Sequence, residues 1–233
     1  MAPRTRAPHR LQDIADAALD VFLRTGYRRA RMADVARAAG VSPGLLYTYA
    51  ESKEALFHLV LQRELGVDVD TLPLPVPTPD PAATRKLVGQ ALREVGTIPT
   101  LEAATDDPPS GIRSELDAIV GDLYDRVHRY RRFIRLVERS ALDWPELSDR
   151  FYERGRRPFV GRLGDYISTR VASGRLQPVP DPEVAARFVV ETVAWFANHR
   201  YGDHDGARID DSVARATVVQ LVTAGLIGSG RGR

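Results

Sequence analysis

The chain of 233 residues contains no cysteine. This absence excludes disulfide bonds, zinc sites built on thiolates and cysteine nucleophiles. The chain also lacks any run approaching the roughly 18 consecutive apolar residues of a membrane-spanning helix, and no apolar signal core follows its basic N-terminus. We therefore expect a cytoplasmic protein that has no membrane partner.

Motifs of catalysis and cofactor binding are missing too. The sequence has no nucleophile elbow, no phosphate-binding loop and no dinucleotide-binding glycine pattern. The carboxylate pair Asp106 and Asp107 falls in a loop without a base beside it, so we expect neither an enzyme nor a cofactor. One cluster of potential metal ligands is more typical of a polar turn between helices than of a metal site: His199, Asp203, His204 and Asp205.

Apolar residues make up 43% of the chain and charged residues 27%, an ordinary composition for a globular protein with a packed core. The apolar spacing is helical, and alternating strand patterns extend over no more than a few residues. The predicted fold class is therefore all-α. The expected helices cover residues 10–25, 32–39, 43–49, a stretch that follows Ser52, and then 82–95, 113–130, 131–142, 146–173 with a kink at Pro158, 182–200 and 208–226.

Five prolines alternate with other residues between positions 73 and 81. Alternating prolines cannot form a helix, and they favour a stiff, extended chain. We interpret residues 67–81 as a linker or surface loop. The chain is thereby divided into a first domain of residues 1–66 and a larger second domain of residues 67–233.

The stretch SPGLLYTY at residues 42–49 predicts the second helix of a helix-turn-helix. Gly40 can adopt the left-handed backbone of the turn, Ser42 is a good N-cap, and Pro43 suits the first helical position. In this motif the second helix enters the DNA major groove, and Gly44 allows the backbone to approach DNA closely. Short helix pairs of this kind also occur in purely structural bundles.

The side chains that follow indicate how DNA would be bound. Tyr47 and Tyr49 lie roughly 200° apart around a helix axis, so we expect both hydroxyls to donate to phosphate oxygens at the groove edges. Thr48 has a methyl and a hydroxyl that can read base edges, while Leu46 points inward. Lys53 is poorly placed for the dipole of its own helix, which a phosphate contact would explain.

The charge distribution suits an anionic partner. Residues 1–53 contain nine Arg or Lys against five Asp or Glu, whereas the remaining residues contain 24 basic and 26 acidic side chains. The excess of +4 beside the helix-turn-helix favours DNA, whose phosphates supply much of the affinity of such proteins. A solvated, arginine-rich surface explains the same charge equally well.

Residues 10–65 resemble the DNA-binding domain of the tetracycline-repressor (TetR) family. The resemblance is carried by IADAALDVFLRTGY (14–27), MADVARAAGVSPGLLYTY (32–49) and SKEAL (52–56), with a weaker match in GRLQPVPDPEVAARFVVETV (174–193). It implies that the third helix is the recognition helix. The DNA contacts implied by the resemblance are Ser42, Pro43, Gly44, Tyr47, Thr48, Tyr49 and Lys53.

The sequence departs from the family pattern at two places. Ala30 and Arg31 replace threonines that usually cap the second helix and touch phosphate, so a cap is lost at a cost of about 1 kcal/mol. Arg31, with Arg28 and Arg29 nearby, can supply a charged phosphate contact instead. Ala50 stands where the family usually has phenylalanine, which leaves a smaller side chain between the third and fourth helices.

The last two predicted helices carry faces of small residues. The resemblance implies that they pair with the same helices of a second copy, and the resulting homodimer would hold two recognition helices about 34–36 Å apart, one turn of DNA. Packing inside one protomer would give the same periodicity. The faces consist of Ala186, Val190 or Val189, Val193 and Ala197 on the first helix, and of Val213, Ala216, Gln220 and Ala224 on the second.

The central helices are rich in aromatic residues with some polar groups. Apolar walls with a few convergent polar groups describe a small-molecule pocket, but they also describe an ordinary helical core. The sequence alone favours the core for most of these residues, whereas the resemblance implies an effector pocket in this region. The candidates are Tyr124, His128, Phe133, Trp144, Phe151, Tyr152, Phe159 and Tyr166.

Together these features predict a DNA-binding transcription regulator. The mechanism implied by the resemblance is repression at a palindromic operator that is relieved by a small molecule. The molecule would bind more tightly to the state of the dimer in which the two DNA-binding domains are at the wrong spacing for DNA. Two alternatives stay open. One is a regulator of the same fold that acts without a ligand or as an activator, and the other is a helical enzyme or adaptor with a vestigial DNA-binding head.

Overall fold

The computed structural model describes residues 10–106 and 111–228. Regular structure in these ranges is helical apart from an isolated parallel bridge between Ala50 and Val76, so the all-α prediction is confirmed. None of the helices described is long and apolar enough to cross a membrane. The α-helices are α1 Arg10–Thr25, α2 Met32–Ala38, α3 Pro43–Tyr47, α4 Lys53–Glu64, α5 Pro81–Gly96, α6 Pro99–Asp106, α7 Ile112–Arg129, α8 Arg131–Ala141, α9 Pro145–Ser148, α10 Arg157–Ala172, α11 Pro182–Ala197 and α12 Asp211–Ile227.

Several helix boundaries differ from those predicted. Helix α6 was not predicted, and it contains Asp106, whereas Asp107 lies outside the described residues. The predicted run 146–173 is helical from Pro145 to Ala172, but it is not α-helical throughout, because α9 leads directly into π-helical turns over Asp149–Arg156 and these lead into α10. Pro158 lies in the first turn of α10, directly after these π-helical turns, and the kink at this residue stays a prediction.

The described chain divides into two compact units. The head unit comprises the residues up to Leu92 together with Arg132–Phe151, and the body unit comprises Arg93–Arg131 together with the residues from Tyr152 onward. Neither unit is continuous in sequence, so the units do not follow the segments 1–66 and 67–233. The functional division at residue 66 stays a prediction.

The core of the head unit is built on α1 and α4. The helical spacing of α1 buries Ile14, Ala18, Val21 and Phe22, as its sequence predicts. The ring of Phe22 meets that of Phe57 on α4 edge to face, with the ring centroids 5.3 Å apart. Fully burying a large apolar side chain stabilises a fold by roughly 1.5–3 kcal/mol, so these helices supply much of the stability of the head unit.

Ion pairs join α8 to the first and fourth helices. Arg132 lies 3.0 Å from Asp16 and 3.3 Å from Glu64, and Arg63 lies 2.7 Å from the same Asp16 carboxylate. Burial alone would raise the pKa of Asp16, but the guanidinium groups of Arg63 and Arg132 outweigh it and hold this pKa below its ordinary value. A segment distant in sequence is thus part of the head unit.

The proline-rich segment returns to the end of α3 rather than leaving the head unit as a free linker. The amide of Val76 donates to the carbonyl of Tyr49 at 2.8 Å, and the amide of Glu51 donates to the carbonyl of Val76 at 3.1 Å. The amide of Thr78 donates to the carboxylate of Glu51 at 2.9 Å. Because Val69 and Val76 are also buried, residues 67–81 form a packed surface segment.

The core of the body unit lies among α7, α10, α11 and α12. Helix α11 packs most extensively on α10 and also contacts α7 and α12. Its buried side is apolar and joins residues such as Ile119, Leu163, Ile167 and Val218 from the other three helices. The body unit is therefore a helical bundle with α11 near its centre.

Candidate nucleic-acid interface

The turn between α2 and α3 has the local structure that its sequence predicts. Gly40 adopts a φ of +63°, which side chains disfavour, and the amide of Val41 donates to the carbonyl of Ala36 at 2.9 Å. The hydroxyl of Ser42 accepts a hydrogen bond from the amide of Leu45 at 3.2 Å, and Pro43 lies in the first turn of α3. Local hydrogen bonds thus fix where α3 begins.

One side of α3 faces solvent and the other side is anchored. Leu46 is fully buried, as predicted, whereas the side chain of Tyr47 keeps 50% of its surface exposed. The hydroxyl of Thr48 donates its hydrogen to the carbonyl of Leu45 at 2.7 Å, so this hydroxyl does not donate to another group in the structure. The exposed set between positions 42 and 48 consists of Ser42, Pro43, Gly44, Leu45, Tyr47 and Thr48.

Tyr49 lies in the core instead of at the surface, so we withdraw it from the predicted phosphate contacts. Its residue surface is only 5% exposed. Helix α3 ends at Tyr47, so the helical geometry that separates two side chains by roughly 200° does not extend to Tyr49. With its carbonyl bonded to the amide of Val76, Tyr49 anchors the end of α3.

Leu45 is a candidate functional residue that the sequence interpretation missed. It is 40% exposed on the same side of the chain as the exposed set, and it is apolar. The signal was present in the pair Leu45–Leu46, because two consecutive helical residues cannot both face the core. An exposed apolar side chain in the major groove can contact the methyl group of thymine.

Lys53 has a structural role that does not require DNA. Its ammonium group donates to the carbonyls of Tyr27, Arg28 and Ala30 at 3.1, 3.3 and 3.3 Å. The same nitrogen lies 4.6 Å from the centre of the Tyr27 ring. These contacts explain a lysine in the first turn of α4, so its position by itself no longer indicates a phosphate contact.

The two departures from the family pattern have visible structural consequences. Arg31 is the N-cap residue of α2 and makes no side-chain capping hydrogen bond, so the predicted loss of a cap is confirmed. Its side chain is exposed, as are those of Arg28 and Arg29. Ala50 is fully buried and pairs with Val76, so the proline-rich segment passes where the family usually has a larger side chain.

The predicted effector residues do not form one set. Phe133 and Phe151 are buried in the head unit, and Trp144 stacks on Tyr27 there, with ring centroids 4.9 Å apart. We therefore assign these three to the structure of the head unit. The five that belong to the body unit are Tyr124, His128, Tyr152, Phe159 and Tyr166.

Tyr166 belongs to a buried polar network in the body unit. Its hydroxyl donates to Glu115 at 2.6 Å, and the Arg170 guanidinium donates to the same carboxylate at 2.8 Å and to the carbonyl of Ala104 at 2.5 Å. Burial, and then the Glu115 carboxylate, raise the pKa of the Tyr166 hydroxyl well above its ordinary value. The network joins α6, α7 and α10 with its hydrogen-bonding groups paired.

A second polar network, centred on Arg200, was not predicted. Arg200 is fully buried, donates to the carbonyls of Phe196 at 2.6 Å and Ile209 at 2.7 Å, and forms an ion pair with Asp211. The Tyr201 hydroxyl donates to Asp211 at 2.7 Å and lies 3.0 Å from Nδ1 of His128. Apolar periodicity identifies buried apolar residues only. It does not predict a buried arginine, because arginines are mostly exposed.

The network around Arg200 perturbs two titrating groups. Burial, and then the charge of Arg131, lower the pKa of His128 below its ordinary value. Burial, and then Asp211, raise the pKa of Tyr201 to about 12. Both shifts favour the neutral side chain, so the network holds a neutral imidazole and a neutral phenol beside the Arg200–Asp211 ion pair.

The polar turn between α11 and α12 is held by its own hydrogen bonds. The Asp203 carboxylate accepts from the amide of Gly206 at 2.6 Å, and Nε2 of His204 lies 3.3 Å from the Arg208 guanidinium. In the part of the chain that the structure describes, no three His, Asp or Glu side chains gather as metal ligands.

The small-residue face predicted on α11 is buried inside the protomer. Its residues Ala186, Val189, Val190, Val193 and Ala197 are at most 9% exposed, because α7, α10 and α12 cover them. The opposite side of α11 exposes Val184 at 66%, Phe188 at 65% and Trp195 at 39%. The residues predicted on α12 are exposed, and Leu221 lies near them: Val213, Ala216, Gln220 and Ala224.

These features define a head unit with a helix-turn-helix and a body unit that is a helical bundle, the two parts of a DNA-binding transcription regulator. Residues 14–60 match the family model described as bacterial regulatory proteins of the tetR family, and residues 126–224 match the C-terminal domain of AefR-like transcriptional repressors. The chain belongs to the TetR family, as its sequence indicated.

Individual relatives agree with this assignment. The A-factor receptor protein of Streptomyces griseus is 38% identical over 64 residues, which are 28% of this chain and 23% of that protein. A tetR-family regulatory protein of Rhodococcus RHA1 has the same fold, with a TM-score of 0.54 and 17% identity over 94% of this chain and 98% of that one. A TetR-like regulator of Rhodococcus sp. RHA1 has a TM-score of 0.51 and 21% identity over 98% and 100%.

Proposed function

We propose that this TetR-family chain is a homodimeric repressor whose α3 helices enter the major groove of a two-fold symmetric operator. The observation that carries the proposal is the exposed side of α3, where Leu46 is the only residue of 42–48 that is buried, and Tyr49 holds the end of the helix from behind. A helix that inserts into the major groove must have one side exposed to solvent and the opposite side packed against the protein.

Each exposed residue of α3 has a role that follows from its chemistry. The Tyr47 hydroxyl donates to a phosphate oxygen, and the methyl groups of Leu45 and Thr48 contact base edges. A Cβ placed on Gly44 would meet no atom of the chain within 4 Å, so the protomer itself does not require glycine there. Close approach of the DNA backbone is the reason we favour for this glycine. The Ser42 hydroxyl keeps its own proton for a phosphate while it accepts from Leu45.

The dimer contact in this proposal lies on the outer face of the last two helices. We call this surface the outer face and define it by the exposed residues Val184, Phe188 and Trp195 of α11 and Val213, Ala216, Gln220, Leu221 and Ala224 of α12. Large apolar side chains grouped on an exposed surface are typical of interaction sites. A two-fold contact through this face would pair two heads for two half-sites.

The effector, in this proposal, is a small molecule that binds the body unit. Support comes from the match of residues 126–224 to the C-terminal domain of a repressor family and from the aromatic and polar residues of the body unit. We retain Tyr124, His128, Tyr152, Phe159 and Tyr166 as candidates. Such a molecule relieves repression only to the extent that it binds the DNA-free state more tightly than the DNA-bound state.

Selection of genomic fragments by the purified protein tests this proposal. We expect enrichment of a near-palindromic site whose affinity falls steeply with rising salt, because binding releases counterions from the phosphates. No preference for any fragment over random DNA would contradict operator binding. If small-molecule extracts of the producing organism never release the bound site, a regulator that acts without a ligand explains the protein better.

A matched pair of variants tests the orientation of α3. Tyr47→Phe removes one hydroxyl that would donate to a phosphate, and hydrogen bonds to charged groups contribute roughly 1.5–3 kcal/mol. We therefore expect about a tenfold loss of affinity or more, on specific and random DNA alike, in a fluorescence titration. Tyr49→Phe removes the hydroxyl of the buried tyrosine and is expected to leave DNA affinity unchanged. The reverse result would show that another surface enters the groove.

A further inference from the structure

The turn between α1 and α2 is contacted by a segment more than 110 residues away in the sequence. The indole of Trp144, just before α9, stacks on the ring of Tyr27 in this turn, with centroids 4.9 Å apart and an angle of 27° between the planes. Phe57 of α4 completes the cluster, with its ring 4.6 Å from that of Tyr27 and 6.0 Å from that of Trp144. The ring of Tyr27 is therefore held on its face and its edge by residues from two other elements.

The same distant segment covers the start of the turn. The guanidinium group of Arg139 donates to the carbonyl of Arg24 at 3.4 Å. A Cβ placed on Gly26, whose φ is +79°, would lie 3.3 Å from the Asp143 carboxylate. Residues 139–144 thus pack closely against the end of α1 and the first residue of the turn.

Helix α4 holds the remaining groups of Tyr27. The phenol donates to the Glu54 carboxylate at 2.8 Å, and the Tyr27 carbonyl accepts from Lys53 at 3.1 Å. The two residues that follow Tyr27 are Arg28 and Arg29, both exposed, and Arg31 at the start of α2 is exposed as well. The position of Tyr27 therefore sets the position of a short arginine-rich stretch at the edge of the helix-turn-helix.

We propose that Trp144 is a positioning residue for DNA binding. By stacking on Tyr27 it fixes the turn between α1 and α2, and it thereby places Arg28, Arg29 and Arg31 for contact with DNA phosphates. Trp144 itself touches no DNA. The proposal rests on DNA binding by the head unit, and it assigns to Trp144 a task other than contact with an effector.

The physical reason is preorganisation. Ordering a long side chain at an interface costs free energy. A turn that is already rigid in the free protein lowers this cost, because less conformational freedom is lost when DNA binds. Without the stacking, the arginines sample more positions, and fewer of them neutralise a phosphate in the complex. Affinity then falls, and so does its salt dependence, because the salt slope counts the phosphates neutralised.

Two substitutions at Trp144 separate stacking from apolar filling. Trp144→Phe keeps a ring that can stack on Tyr27, and Trp144→Leu keeps apolar volume without a ring. We expect Trp144→Phe to bind the selected operator nearly as the unaltered protein does. We expect Trp144→Leu to bind it roughly tenfold more weakly, with a salt slope lower by about one or more.

The salt slope distinguishes positioning from a general loss of stability. If Trp144 only stabilises the fold, Trp144→Leu lowers the fraction of active protein, which a stoichiometric titration measures, but the active fraction binds with unchanged affinity and slope. That outcome would overturn the proposal. Absence of operator preference in the unaltered protein would instead contradict the proposed function.

A double variant on the surface keeps the proposal testable if Trp144→Leu does not fold. Arg28→Gln combined with Arg29→Gln alters exposed side chains only, and we expect it to lower the salt slope by about two for each protomer, which is about four for a dimer on its operator. An unchanged slope would overturn the role of the turn. If Trp144→Leu does fold, the two arginine substitutions should lower its salt slope by less than they lower that of the unaltered protein, because the arginine contacts are already weakened. Equal decreases in the two proteins would argue against positioning by Trp144.

Discussion

At the residue scale, Lys53 shows how one ammonium group can hold a turn together. The turn between α1 and α2 directs the carbonyls of Tyr27, Arg28 and Ala30 towards the first turn of α4, where Lys53 donates to all three. The unfavourable position of a cation at a helix N-terminus is offset by these three acceptors. The lysine is therefore part of the structure of the head unit, whether or not DNA is bound.

This role predicts a loss of stability when the ammonium group of Lys53 is removed. Lys53→Met keeps the apolar stem and deletes the donors, and we expect the free energy of unfolding to fall by roughly 1–3 kcal/mol. Lys86, the other lysine of the chain, is exposed on α5, so Lys86→Met serves as the control and should leave stability nearly unchanged. Urea unfolding followed by circular dichroism measures both variants. Unchanged stability of Lys53→Met together with a lower salt slope for DNA would restore the phosphate contact first inferred for it.

At the element scale, the sequence was most informative where local chemistry decides the structure. The start of α3 follows from Ser42, Pro43 and the turn at Gly40, because capping and backbone preference act over a few residues. The boundaries of α1 and α2 and the start of α4 were predicted to within one residue for the same reason. The exposed face of the recognition helix could therefore be placed largely from the sequence.

Other features depend on contacts between distant segments, and sequence patterns do not contain those. The end of α3 was placed two residues too late, because Tyr49 and Ala50 pair with Val76 of the proline-rich segment instead of continuing the helix. The periodicity predicted the apolar side of α11, but it could not show whether a second copy of the chain or the same protomer covers that side. Three helices of the same protomer cover it. The assignment of Trp144 to the head unit likewise depends on a contact with Tyr27 that only the folded chain reveals.

At the scale of the whole molecule, two half-buried histidines link stability to pH. Burial lowers the pKa of His58 in the head unit and of His128 in the body unit below the ordinary value of 6.5. In the pH range between the lowered values and 6.5, the unfolded chain binds more protons than the folded chain, so stability rises with pH there. The contribution is complete above about pH 6.5 and is lost as the pH falls through that value towards the folded pKa values.

Unfolding by urea between about pH 5 and about pH 8 checks this linkage. We expect the midpoint to fall on the acid side, and the fall should be smaller in His58→Gln and His128→Gln, because neither variant can take up the proton at the substituted position. His204 is exposed in the turn between α11 and α12, and His204→Gln is expected to keep the full pH dependence. A midpoint that is equally pH-dependent in all three variants would assign the effect to other groups.

The assembly of the molecule is tested on the outer face of α11 and α12. Phe188 is 65% exposed, so Phe188→Glu leaves the core of the protomer intact, but in a dimer it would bury an unpaired charge at a cost of several kcal/mol. We expect light scattering to show monomers for Phe188→Glu and dimers for Phe188→Leu. We also expect a steep loss of operator affinity in the monomer, because two half-sites are no longer bound as one unit. The buried Val193 is unsuitable for this purpose, because a charge there would disrupt the protomer before it reached any partner. A dimer that persists in Phe188→Glu with normal unfolding would place the interface on another surface.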